Sequence, residues 1–236
     1  MREREALIAR VQEYNERLQE ASAKWGGVEI CAVTKTIDAD TINLAWDAGI
    51  RTIGENRVQE LMDKLPSLNP DYRIHLIGQL QTNKVKYIVP HVSMIQSLDR
   101  DSLAAEINRQ AVKAGRKVPV LVQVNIAREP QKGGIDEEEL RPFLQRLADM
   151  EGVSVKGLMS IMPQADDPET VRPYFRQMRA WFDRLRDEAM PGIEMETLSM
   201  GMSHDCIVAA EEGATMVRLG TALFGRRAPM TQTPGQ

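Results

Sequence analysis

The stretch Val28-Glu29-Ile30-Cys31-Ala32-Val33-Thr34-Lys35-Thr36 ends an apolar, partly β-branched run on a lone lysine between two threonines. A short run of this kind reads as a buried parallel strand. Lys35 then stands at the strand's carboxyl end, where parallel α/β folds place their chemistry. Two readings of the lysine stay open here. Either it leaves the strand for solvent, or it is a partly desolvated amine that attacks a carbonyl such as an aldehyde cofactor.

On the amino-terminal side, Leu7, Val11, Tyr14, Leu18 and Ala21 recur at helical spacing, which predicts an amphipathic helix over 4–24. Trp25-Gly26-Gly27 stops it with a left-handed glycine exit. On the carboxyl side, strand-like and helix-like patterns alternate. Strands are expected over 51–54, 73–78, 92–97, 118–126, 155–161, 197–200 and 216–224. Helices are expected from the N-cap Asp38 to Ala48, and over 55–65, 83–89, 99–114, 137–150, 169–189 and 203–212. With the first strand this makes about eight strands, each but the last followed by a helix, the pattern of a single (β/α)8 TIM-type barrel. An open doubly wound sheet is the runner-up. The N-terminal helix is expected to fill the place of the missing final helix. Residues 1–225 read as one domain, and Arg226–Gln236, with two prolines, as a loose tail.

The composition narrows the function. The chain has 236 residues, 42% apolar and 27% charged, with a net charge of −4. That balance argues against a nucleic-acid surface. No apolar run approaches the roughly 20 residues of a membrane span, and the start Met1-Arg2-Glu3-Arg4-Glu5 has no signal core. Cys31 and Cys206 are far apart, and His75, His91 and His204 are scattered. A reduced, cytoplasmic setting is expected, with no metal site.

The strand ends carry small polar residues, among them Asn56, Ser199, Gly220 and Thr221. Small residues let a backbone approach an oxyanion, and N–H groups at a helix start favour phosphate. Barrels often bind phosphate with the loops after strands seven and eight. Ser199, Gly220 and Thr221, helped by Ser203, are therefore a candidate phosphate cup. On the other reading, Ser203 is only a helix cap and the glycines only turn the chain. With Lys35, the set points to a phosphorylated aldehyde. Arg218 interrupts the apolar strand Met216-Val217-Arg218-Leu219. It either bridges to a structural partner or donates to a ring nitrogen of a cofactor.

These motifs also carry a family resemblance. Ala32-Val33-Thr34-Lys35-Thr36, Gly54-Glu55-Asn56-Arg57-Val58-Gln59-Glu60, His75-Leu76-Ile77-Gly78-Gln79-Leu80-Gln81-Thr82-Asn83-Lys84, Leu198-Ser199-Met200-Gly201-Met202-Ser203 and Val217-Arg218-Leu219-Gly220-Thr221 resemble the pyridoxal phosphate homeostasis proteins, relatives of the alanine racemase barrel domain. The likeness runs from about residue 28 to 225. It implies an alanine racemase-like barrel that holds pyridoxal 5′-phosphate as a Schiff base on Lys35. It further implies phosphate contacts from Ser199, Gly220 and Thr221, Arg218 facing the pyridine nitrogen, and Asn56 near the cofactor. Thr34 stands where the family commonly has serine, which keeps the hydroxyl, and Arg57 where it commonly has tyrosine.

An arginine has no acceptor for a protonated ring nitrogen, so it does not favour the form in which the cofactor is the stronger electron sink. Racemisation also needs a base on each face, and in alanine racemases the second base comes from a further domain that this sequence is not expected to contain. The expected function is a monomeric carrier in vitamin B6 homeostasis that passes the cofactor to apo-enzymes, with no catalytic residues. An amino-acid racemase or other pyridoxal phosphate enzyme is the alternative, and a phosphosugar aldolase a third reading.

Overall fold

The computed structural model describes residues 2–225, so the expected tail lies outside the described residues. Eight parallel strands close into a barrel in sequence order, which removes the open-sheet alternative. They are β1 (Glu29–Val33), β2 (Thr52–Glu55), β3 (Arg73–Leu76), β4 (Met94–Leu98), β5 (Val118–Gln123), β6 (Val153–Met159), β7 (Ile193–Met202) and β8 (Met216–Leu219). The seam pairs β1 with β8, from Glu29 opposite Met216 to Ala32 opposite Leu219.

The helices follow the strands on the outside: α2 (Ala39–Asp47), α3 (Val58–Lys64), α4 (Val85–Ile88), α5 (Asp101–Lys113), α6 (Glu137–Ala148), α7 (Arg172–Glu188), α8 (Cys206–Glu211) and α9 (Thr221–Phe224), after the N-terminal α1 (Arg2–Ala21). Local chemistry explains their starts and faces. Asp38 caps α2 by accepting from Thr41 N at 2.8 Å. In α6 the buried residues Leu140, Phe143, Leu144 and Leu147 repeat at helical spacing and lie against the sheet.

Alternation along each strand divides the core in two. Ile30 and Ala32, Ile74 and Leu76, Leu198 and Met200, and Val217 and Leu219 face the helices in one large apolar layer. Cys31, Val33, Ile77 and Met216 form a small separate cluster inside the barrel. Polar side chains share that interior, with His75, Gln96, Ser199 and Arg218 all buried there.

Several expectations need correction. The last strand ends at Leu219, and a one-turn α9 follows it. Glu55 lies in β2 and not at the start of α3. The helix expected from Ser203 begins at Cys206, and β7 runs to ten residues with register shifts against both neighbours. α1 does fill the eighth helix's place, packing against α8, α2 and α9. Arg10 Nε donates to Leu223 O at 2.5 Å and Trp25 Nε1 to Glu211 O at 2.9 Å. Leu18 in α1 is fully buried, so truncating it to alanine removes about 2–5 kcal/mol.

Candidate functional site

Lys35 lies in the turn after β1, with its side chain exposed at the carboxyl-end mouth of the barrel. Thr36, the next residue, takes a left-handed φ of 63°, which is uncommon for a β-branched residue. The turn is closed by Ile37 N donating to Thr34 O at 3.0 Å. Thr34 Oγ1 donates to Glu55 Oε1 at 2.6 Å, and Lys64 Nζ donates to Thr34 O at 2.8 Å, Glu55 Oε1 at 3.0 Å and Glu60 Oε1 at 2.6 Å. Glu60 also accepts from Thr36 N. Burial raises the pKa of the Glu55 carboxyl, while the Thr34 hydroxyl and the Lys64 ammonium oppose the shift.

After β7, Ser203 does not cap α8. Its Oγ accepts from Gly220 N and Ala222 N, each at 3.2 Å, at the start of α9. Thr221 is exposed between them. Gly220, Thr221 and Ser203 thus come together, with two N–H donors aimed at one oxygen. Gly201, two residues before Ser203, has φ 91°, and a Cβ there would lie 2.5 Å from Ala209 Cβ. A cavity of about 910 Å3 flanks this loop, lined in part by Met162, Asp166, Met202 and His204.

Ser199 sits deeper than the proposed cup. It is fully buried, and its Oγ accepts from Arg218 Nη1 and donates to Gln96 Oε1, both at 2.7 Å. Gln96 Nε2 lies 2.9 Å from His75 Nδ1. Burial, aided by the Arg73 guanidinium, lowers the His75 pKa to about 3, so the ring is neutral and its Nδ1 accepts. All the donors in the chain Arg218–Ser199–Gln96–His75 therefore run one way. Arg218 Nη2 donates to Ser160 O at 2.8 Å. Burial lowers the Arg218 pKa to about 10, which leaves it charged at neutral pH. Both thiols are buried, with pKa raised by burial to about 12 for Cys31 and about 11 for Cys206.

Asn56 follows β2, half-buried, with its Oδ1 buried and without a hydrogen-bond partner. Its backbone presses on Gly78, where a Cβ would lie 2.3 Å from Asn56 O. An orphaned buried acceptor after β2, an amine after the neighbouring β1, and a buried guanidinium and a pair of converging N–H groups in and after β8 fit a small anionic aldehyde with further polar groups. Sequence reasoning missed the roles of Glu60, Lys64 and Gln96. Gln96 carried a usable signal, a polar residue in the apolar run Met94-Ile95-Gln96-Ser97-Leu98, like that of Arg218.

The closed parallel barrel is that of the alanine racemase class, and the sequence shows the membership. The family model described as alanine racemase, N-terminal domain, matches residues 7–228. Within that class the chain belongs to the pyridoxal phosphate homeostasis protein family. A relative of that name from Aquifex aeolicus is 45% identical over 217 residues, covering 90% of this chain and 94% of the relative. Another from Escherichia coli is 38% identical over 206 residues, covering 85% and 86%. Among solved structures, PipY of Synechococcus elongatus with PLP bound superposes at TM-score 0.83 with 36% identity, covering 93% of this chain and all of that one. The alanine racemase of Streptomyces lavendulae, at TM-score 0.72 and 16% identity, shares the fold, and this chain covers 57% of it.

Proposed function

We propose that this chain binds pyridoxal 5′-phosphate reversibly as a carrier in vitamin B6 homeostasis, without catalytic turnover. The observation that carries this is the adjacency of β1 and β8. It brings the turn that carries Lys35 and the Gly220–Ala222 segment to neighbouring strand ends. Family membership and the relative with PLP bound support the choice of ligand.

Pyridoxal phosphate supplies an aldehyde that condenses with an amine and loses one water, and the resulting Schiff base exchanges with other amines. In this reading Lys35 Nζ is the protein's amine. Gly220, Thr221 and Ser203 hold the phosphate, with the Ser203 hydroxyl turning from acceptor to donor. Asn56 supplies its unsatisfied acceptor. Arg218 faces the ring nitrogen, and Ser199, held by Gln96, fixes the guanidinium from below. Because arginine has no acceptor and stays protonated, it leaves that nitrogen neutral and weakens proton loss from a bound amino acid. The chain then acts as a cytoplasmic monomer that passes the cofactor to apo-enzymes.

The test is a visible spectrum of the loaded protein before and after borohydride, with the adduct mapped. Lys35→Ala is expected to lose both the absorbance and the adduct while staying folded. A variant that kept the adduct would remove Lys35 from this role. Steady α-deuterium exchange of single L-amino acids in heavy water would replace the carrier with a racemase-like enzyme.

A further inference from the structure

We propose that Glu60 is a positioning residue for Lys35: with Lys64 and Glu55 it clamps the turn that carries the amine. The inference rests on the reading above that Lys35 is the cofactor-bearing lysine. Lys35 is exposed, and the turn sets where its side chain leaves the backbone. The turn is strained at Thr36, whose φ is 63°. A residue held there costs about 1–3 kcal/mol and persists only where its surroundings over-determine it.

The clamp supplies that constraint from both sides of the lysine. Downstream, the Glu60 carboxylate accepts from Thr36 N. Upstream, Lys64 Nζ donates to Thr34 O at 2.8 Å, and Thr34 Oγ1 donates to Glu55 Oε1 at 2.6 Å. Lys64 joins the two sides by donating to Glu60 at 2.6 Å and Glu55 at 3.0 Å. The circuit is well shielded, with side-chain exposures of 22% for Glu60, 12% for Lys64 and none for Glu55. Charges this shielded are screened little by salt. Glu60 and Lys64 lie one turn apart on α3, so the helix acts as a rigid bracket behind the loop. Nothing in this circuit needs to touch the ligand. Its effect is to present the amine to the aldehyde in one arrangement, which is how positioning residues raise condensation rates.

The experiment is stopped-flow condensation of pyridoxal phosphate with the apo-protein. Wild type, Glu60→Gln and Glu60→Leu are compared, with thermal unfolding run in parallel and rates expressed per folded protein. Leucine removes the acceptor for Thr36 N, and condensation is expected to slow about ten-fold or more. Glutamine keeps a carbonyl acceptor and is expected to stay within about three-fold of wild type. A purely structural residue would lower the melting temperature and leave the rate per folded protein unchanged, which would overturn the proposal. Equal slowing in the glutamine and leucine variants would overturn it as well. Glu60→Ala carries the same expectation should leucine prevent folding. Borohydride mapping keeps the two readings apart. A wild-type protein with no adduct on Lys35 refutes the site itself, whereas an adduct on Lys35 that forms equally fast in Glu60→Leu refutes only the clamp.

Discussion

Replacing Lys64 by methionine tests how a buried acid is supported next to the candidate site. Glu55 is fully buried and Lys64 is 12% exposed, with Nζ at 3.0 Å from its Oε1. Removing one partner of a buried pair leaves an uncompensated charge and destabilises by about 3–5 kcal/mol. Thr34 Oγ1 still donates to Glu55, so the lower end, about 3 kcal/mol, is expected. For a domain of this size that corresponds to a fall in melting temperature of roughly 6–12 °C. The loss should depend on pH in a defined direction. The Glu55 pKa is already raised by burial, and loss of the ammonium raises it further. The folded state then holds the proton more tightly than the unfolded state does. Stability is fullest below the unfolded value of 4.5 and falls as pH rises through the folded one. Unfolding curves of Lys64→Met at acid and neutral pH should therefore diverge from wild type mainly at neutral pH. The double variant Glu55→Gln with Lys64→Met should recover most of the loss, because the glutamine oxygen still accepts from Thr34. A deficit equal at both pH values, or no recovery in the double variant, would refute the account of Glu55 as a charge held by Lys64.

Gly78→Ala forces a Cβ to within 2.3 Å of Asn56 O. A loss of about 1–3 kcal/mol is expected, together with weaker cofactor binding through the displaced Asn56. Unchanged melting and affinity would show that Asn56 does not depend on this contact. Arg218→Met removes the donors to Ser199 Oγ and Ser160 O and should alter the absorption of the bound cofactor. An identical spectrum in a loaded, folded variant would remove Arg218 from the ring. Cys31 and Cys206 are buried with raised pKa, so a thiol reagent at neutral pH should label neither until denaturant is added. Rapid labelling of the native protein would contradict that burial.

The barrel was legible because its outer face is written at two repeats, two along strands and about 3.6 along helices. Ile30 and Ala32, or Leu140, Phe143, Leu144 and Leu147, show their partners by spacing alone. The polar interior was not legible in this way. Glu55 sits between Gly54 and Asn56 and resembles an acid opening a helix, yet Thr34 and Lys64, which make its burial tolerable, come from other elements. Ser203 precedes a helical run and resembles a cap, yet its hydroxyl serves the backbone beyond β8. Ser199 stands in the same motif, yet strand alternation turns it inward to Arg218 and Gln96. Motif order pointed to the candidate site, while the direction of each side chain depended on pairing between distant strands.

The seam between β1 and β8, buttressed by α1 against α8 and α9, also bears on how the chain is made. β1 can pair with β2 early, but its other permanent neighbour, β8, exists only once that strand has been synthesised. Until then one edge of β1 is unpaired and open to the wrong partner. Closure of the ring is thus a late, long-range event that waits for translation to reach β8.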